Sequence, residues 1–223
     1  MFPVPLRDTQ PSDSKPVVTI LLIVVNILVF LYWKISLGSQ EEVFNAYGLI
    51  PDQFHFSNVI TSMFLHVGWK HVLGNMWILW IFGDNVEDLL GHGKYLLFYL
   101  LCGVVAALAQ VAVSPNSRIP TVGASGAIAG IMGAYMIKFP HSRILSLVTI
   151  VFFFTTVEIP AWIMLIYWFV IQFFSGVGTL GASQSSQGGV AFFAHIGGFI
   201  AGIALISVMG PRQRLSSRGD LDW

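Results

Sequence analysis

Four polar side chains stand out in a largely apolar chain: Ser125 in "TVGASGAIAGIMGAYM", His195 in "AHIGGFIAG", and His71 and Asn75 in "HVGWKHVLGN". A serine hydroxyl is a weak nucleophile until a base accepts its proton, and histidine is the usual base. The same imidazole can hand that proton to a leaving amine. The tetrahedral intermediate of such a reaction needs donors aimed at its oxyanion. Asn75 and His71 carry side-chain donors, and the backbone N–H of Ser125, at a helix N-terminus, adds another donor and a favourable dipole. No Asp or Glu occurs at a matching depth in the relevant segments, so a Ser–His dyad without a third acid is expected.

Other hydrolytic schemes fit the residues less well. There is no His-Glu-x-x-His zinc signature and no pair of aspartates within the apolar runs, so neither a metal nor any cofactor is implied. The Gly-x-Ser-x-Gly elbow of soluble hydrolases would need glycine where this chain has Ala127. Taken alone, Ser125 would read as a packing hydroxyl in a helix of small residues. Its chemistry depends on what the surrounding elements bring to it.

Those elements are membrane helices. The 223 residues are 55% hydrophobic and only 10% charged, with a mean hydropathy of +0.75. Soluble domains carry roughly a quarter charged residues, so the composition is that of a membrane protein. A formal net charge of zero gives no footing for nucleic acid. The single cysteine, Cys102, excludes an internal disulfide framework.

Uncharged runs mark six spans: Val17–Trp33, Trp69–Leu90, Tyr95–Val113, Val122–Ile137, Ala161–Gly178 and Val190–Met209. Each is close to the ~20 residues that cross the hydrocarbon core. No small-residue cleavage site follows the first run, which reads as a retained helix. The run Ile144–Val157, rich in Val, Phe and Thr, is short for a span and suggests a re-entrant or interfacial piece.

With six spans, one side receives Arg7, Lys15, Lys94, Lys138, Arg143, Arg212, Arg214 and Arg218, and the other only Lys34, Lys70 and Arg118. The positive-inside bias then puts both termini in the cytoplasm of a cell-membrane protein. Residues 1–16 and 211–223 read as solvated cytoplasmic tails around a membrane domain of residues 17–210. A long first external loop, Ile35–Gly68, folds on itself or lies at the interface.

The second, fourth and sixth spans run in the same direction, so depths along them can be compared. At 1.5 Å per residue, Ser125 lies about 20 Å above Lys138, Asn75 about 22 Å above Leu90 and His195 about 24 Å above Pro211. His71 precedes Asn75 by one helical turn and shares its face. Small residues recur every fourth position at Gly126, Gly130 and Ala134, and again at Ala194, Gly198 and Gly202. Such stripes let two backbones approach closely, which makes a Ser125–His195 hydrogen bond natural.

The motifs "GASGAIAG", "HVGWKHVLGNMWILWIFGDNVEDLLG" and "AHIGGFIAG", in this order and spacing, resemble the rhomboid family of intramembrane serine proteases over roughly Tyr47 to Met209. The resemblance implies an all-α, six-transmembrane-helix bundle with a water-filled cavity. It also implies cleavage of other membrane proteins in or near their transmembrane segments, so that the partners are such substrates and the lipid bilayer. By matching position it makes Ser125 the nucleophile and His195 the base, with Asn75 and His71 at the oxyanion. It makes His66 a residue that orders the first loop and Glu87 a structural acid.

This chain has Ser57-Asn58 where some relatives have Trp-Arg, and Ala129 where some have a tyrosine stacking on the histidine. The orientation of His195 is then left to Phe192, Phe193 or the helix stripe. Two rival functions can be set against the protease. A non-catalytic rhomboid-like binder of transmembrane clients would be expected to have lost Ser125 or His195. A transporter or haem protein built on His66, His71 and His195 has no use for Ser125 and Asn75 at the shared level.

Overall fold

The computed structural model describes residues 3–36, 38–150, 153–179 and 191–210. Among these residues there are eight helices, six of which follow the apolar runs while α2 and α3 lie in the first loop: α1 (Val17–Ser36), α2 (Gln40–Tyr47), α3 (Phe56–Thr61), α4 (Trp69–Leu90), α5 (His92–Val113), α6 (Ser125–Lys138), α7 (Ala161–Thr179) and α8 (Phe192–Met209). Three strands join them, β1 (Val4–Asp8), β2 (Arg143–Ile150) and β3 (Phe153–Pro160). The expected tail 211–223, with Arg212, Arg214 and Arg218, lies outside the described residues.

Helix ends are set by local chemistry. The first amides of α1, at Val18 and Thr19, donate to the two oxygens of Glu87 at 2.8 and 2.7 Å. The fully buried Glu87 carboxylate also meets His92 Nδ1 at 2.6 Å. It therefore caps α1 from the far end of α4 and satisfies donors that the helix itself cannot. Ser39 and Glu42 form a reciprocal capping box at the start of α2. Between α4 and α5 a single residue, Gly91, takes φ +75°, a turn that favours glycine.

Of the described helices, Val17–Ile35, His92–Val113, Ala161–Gly178 and Phe192–Met209 are long and apolar enough to cross a membrane. The other two long ones differ for physical reasons. Helix α4 carries Lys70, Asp84, Glu87 and Asp88. Helix α6 has 14 residues, all buried from Gly126 to Tyr135, and sits at the centre of the bundle. Its closest partner is α8. A Cβ on Gly198 would run into the carbonyl oxygen of Gly126, and one on Gly202 into that of Gly130. The two small-residue stripes meet backbone to backbone.

The first loop is folded, with α2, α3 and the short 3-10 turns Pro51–Gln53 and Ser62–Phe64. Asn58 holds it together by donating to the carbonyl oxygen of Gly48 at 2.9 Å. The Thr61 hydroxyl donates to the backbone carbonyl oxygen of Tyr47 at 2.7 Å.

The protein is mostly helical, but the all-α expectation misses an antiparallel sheet ordered β1-β2-β3. The run expected to be re-entrant or interfacial is a hairpin, β2 pairing β3 from Arg143↔Pro160 to Ile150↔Phe153. Its Val, Ile, Phe and Thr residues suit a pleated surface, and it is too short to span as a helix. Glu158 lies in β3 with Arg143 Nη1 3.8 Å from its carboxylate. The N-terminal segment is not a free tail either. Strand β1 pairs with β2 through Val4↔Leu147 and Asp8↔Ile144, and the amides of Asp13 and Ser14 donate to Asp88.

Candidate active site

Ser125 is the first residue of α6, and the chain leading to it is pinned in place. Leu49 and Thr121 exchange backbone hydrogen bonds at 3.1 and 2.8 Å, and the amide of Gly123 donates to the Ser62 carbonyl at 2.9 Å. Gly123 has φ +125°, and a Cβ there would lie 2.8 Å from His71 Cε1 and 2.9 Å from its Nε2. Only glycine allows both this turn and this approach. The helix then starts, leaving the amide of Ser125 among those with no intrahelical acceptor.

His195 lies in the first turn of α8, buried at 9% exposure. Its Nε2 is 2.8 Å from Ser125 Oγ. Its Nδ1 is 2.8 Å from Gln172 Oε1, on α7. A carbonyl oxygen only accepts, so Nδ1 carries the proton and the Nε2 lone pair faces the serine hydroxyl. Trp168, one turn earlier on α7, lies against the imidazole with ring centroids 5.8 Å apart and planes inclined by 38°. The first turn of α8 is tied to α5 as well, the amide of Ala194 donating to Gln110 Oε1 at 3.3 Å. Helix α7 thus orients His195, where the sequence pointed to Phe192, Phe193 or the stripe.

His71 and Asn75 project from α4 into the same cavity as Ser125 and His195, a space of about 310 Å³. Asn75 Nδ2 donates to His66 Nε2 at 2.9 Å, which leaves its second N–H for another acceptor. Burial, helped by the nearby His71, pushes His66 down to about 3, so it stays neutral and able to accept. The His66 and His71 rings meet edge to face at 5.0 Å. His66 therefore braces both α4 side chains from the end of the first loop. A larger cavity of about 450 Å³ lies further along α4, walled by Arg7, Asp8, Lys15 and Asp84, and holds none of these residues.

All four sequence-derived residues line one cavity, and Ser125 and His195 are in hydrogen-bond contact. Sequence reasoning missed Gln172 and Trp168. The usable signal was a lone amide in an uncharged span, since polar groups in such segments tend to face the interior. It also missed Pro5 of β1, which forms part of the cavity wall.

The arrangement can deprotonate a hydroxyl and offer donors to an oxyanion. The chain is 35% identical over 130 residues to the rhomboid protease GluP of Bacillus subtilis, covering 56% of this chain and 25% of that one. It is 29% identical over 147 residues to the human presenilin-associated rhomboid-like protein, mitochondrial, covering 65% and 38%. It is 30% identical over 124 residues to the putative rhomboid protease YdcA of Bacillus subtilis, covering 54% and 61%. The matched stretch thus spans between a quarter and about three fifths of these relatives' lengths. A family model for the rhomboid domain matches residues 53–212. That stretch takes in every residue of the Ser125–His195 cavity except Pro5, and on this match the chain belongs to the rhomboid family.

Proposed function

We propose that this protein is an intramembrane serine endopeptidase that hydrolyses peptide bonds in or near the transmembrane segments of other membrane proteins. The observation that carries the reading is the 2.8 Å contact between Ser125 Oγ and His195 Nε2 inside a cavity walled by membrane helices. Ser125 Oγ attacks the scissile carbonyl carbon as its proton passes to His195 Nε2. The oxyanion is met by the Ser125 amide with Asn75 and His71. When the C–N bond breaks, His195 gives the proton to the departing amine, leaving an acyl-serine. Water then attacks the ester carbonyl, losing a proton to His195; the C–Oγ bond breaks, His195 returns that proton to Ser125 Oγ, and the carboxylic acid product leaves.

In this reading six helices span, with α4 and α6 counted beside the four most apolar ones. Asp84, Glu87 and Asp88 sit near one end of α4, and α6 is shielded by its neighbours. At 14 residues α6 is about 21 Å long, short of the ~30 Å core, so the cavity above Ser125 opens to water. The chain lies in the cell membrane with both termini cytoplasmic, the N-terminal residues 1–16 preceding a membrane domain that ends near residue 210.

The test is cleavage of a transmembrane reporter by purified protein in liposomes. Ser125→Ala and His195→Ala should each abolish cleavage while the protein stays folded and monodisperse. Cleavage retained by either variant would remove the dyad. A client-binding role without catalysis would show the reporter retained intact by the wild-type protein.

A further inference from the structure

Strand β1 runs from near the Lys138 end of α6 up to the active-site cavity. At its lower end Tyr135 Oη donates to Asp8 at 2.6 Å. Tyr135 follows Ser125 by ten residues, about 15 Å along the helix. At the upper end Trp77 Nε1 donates to the carbonyl oxygen of Pro5 at 2.7 Å, two residues past Asn75 on α4. Pro5 itself lines the cavity that holds Ser125 and His195. The chain's own backbone thus reaches the reacting centre in extended form, held on one side by α4 and on the other by β2.

This strand is the weakest member of the sheet. It has five residues with a register shift between Pro5 and Arg7, against eight paired residues in each strand of the hairpin. Pro5 has no N–H for the ladder, and Val4 is about half exposed. The hairpin is anchored independently, Ser146 Oγ donating to Met164 Sδ on α7 at 3.7 Å. Removing β1 would leave β2 with an unpaired edge facing the opening beside the cavity, the template to which extended peptides add.

A substrate helix must unwind before its carbonyl can meet a nucleophile, and an unwound backbone away from water needs new partners for every N–H and C=O. We propose that the β2 edge, together with the Trp77 indole, is the docking site for the extended segment of a membrane-protein substrate, and that residues 4–8 occupy it in the resting chain as a displaceable strand. The proposal rests on the serine-protease reading. An occupant in the orientation of β1 is antiparallel to β2 with its N-terminal end in the cavity. The enzyme therefore grips the residues that follow the scissile bond, and the bond itself lies just above the paired stretch.

A reversible cross-link tests this. Val4 faces Leu147 across the pair, so Val4→Cys with Leu147→Cys, in the full chain with buried Cys102 retained, ties β1 to β2 on oxidation. Because a blocked site lowers substrate affinity by the fraction of time it is closed, reporter cleavage should fall at least about tenfold on oxidation and return with reductant. Labelling of Ser125 by a small fluorophosphonate, which needs no strand docking, should stay within about twofold. A chain lacking residues 1–7 should cleave with a KM lowered about threefold or more. Equal cleavage by oxidised and reduced protein, failure of the two cysteines to pair, or an unchanged KM in the shortened chain would overturn the docking site. Absence of fluorophosphonate labelling in both forms would instead overturn the Ser125 chemistry, and the docking site with it.

Discussion

His195 is gripped at both nitrogens. Ser125 holds one and Gln172 the other, so the amide is placed to do the orienting that a carboxylate does in a soluble triad, without adding a charge beside a buried imidazole. Gln172→Leu removes that acceptor and frees the ring to turn. The expected outcome is a fall in kcat of about ten- to a hundredfold with KM little changed, and partial recovery in Gln172→Glu. Equal loss in both variants would point to packing alone. Asn75 stands differently, since it supplies one donor among several. Asn75→Ala should lower kcat by roughly 10²–10³, the usual worth of one oxyanion donor, while fluorophosphonate labelling of Ser125 persists. At this scale the sequence was informative where motif and spacing coincide, at Ser125, His195, His71 and Asn75. For Gln172 it offered only a lone amide in an uncharged span and for Trp168 nothing, because their contact with His195 depends on how α7 packs against α8, and no spacing within one helix encodes that.

Among the elements, helices were legible and strands were not. Apolar runs of near-constant length gave α4 its bounds from Trp69 to Leu90 and came within three residues of those of the other five long helices. The sheet escaped because its pairing is non-local: Asp8 meets Ile144, and the proline in "VPLRD" argues against a strand. Asp8 gives this sheet a pH dependence. Burial, partly offset by the Tyr135 hydrogen bond and reinforced by Asp84, raises its carboxyl from 3.8 to about 7. A carboxyl whose value rises on folding favours the folded arrangement in its neutral form. That contribution is complete below 3.8 and is lost as pH rises through about 7. Hydrogen-exchange protection of β1 should therefore fall between about pH 5 and pH 8, and Asp8→Asn should flatten the fall. A wild-type profile flat over that range would place Asp8 in contact with water.

For the whole molecule, a rhomboid-family helical bundle packs around α6, which carries Ser125. The glycine stripes bring α8 to it, Glu87 locks α1 to α4, and Gly123 brings the approach to Ser125 under His71. The hairpin and β1 add a wall beside the cavity whose edge strand carries Pro5. The central claim is that His195 makes Ser125 nucleophilic in this setting. It is tested most directly by the rate at which a fluorophosphonate probe labels the protein in liposomes. The account predicts labelling of the wild type, none in Ser125→Ala, and a rate lowered by at least about a hundredfold in His195→Ala. Labelling of His195→Ala at the wild-type rate would contradict it.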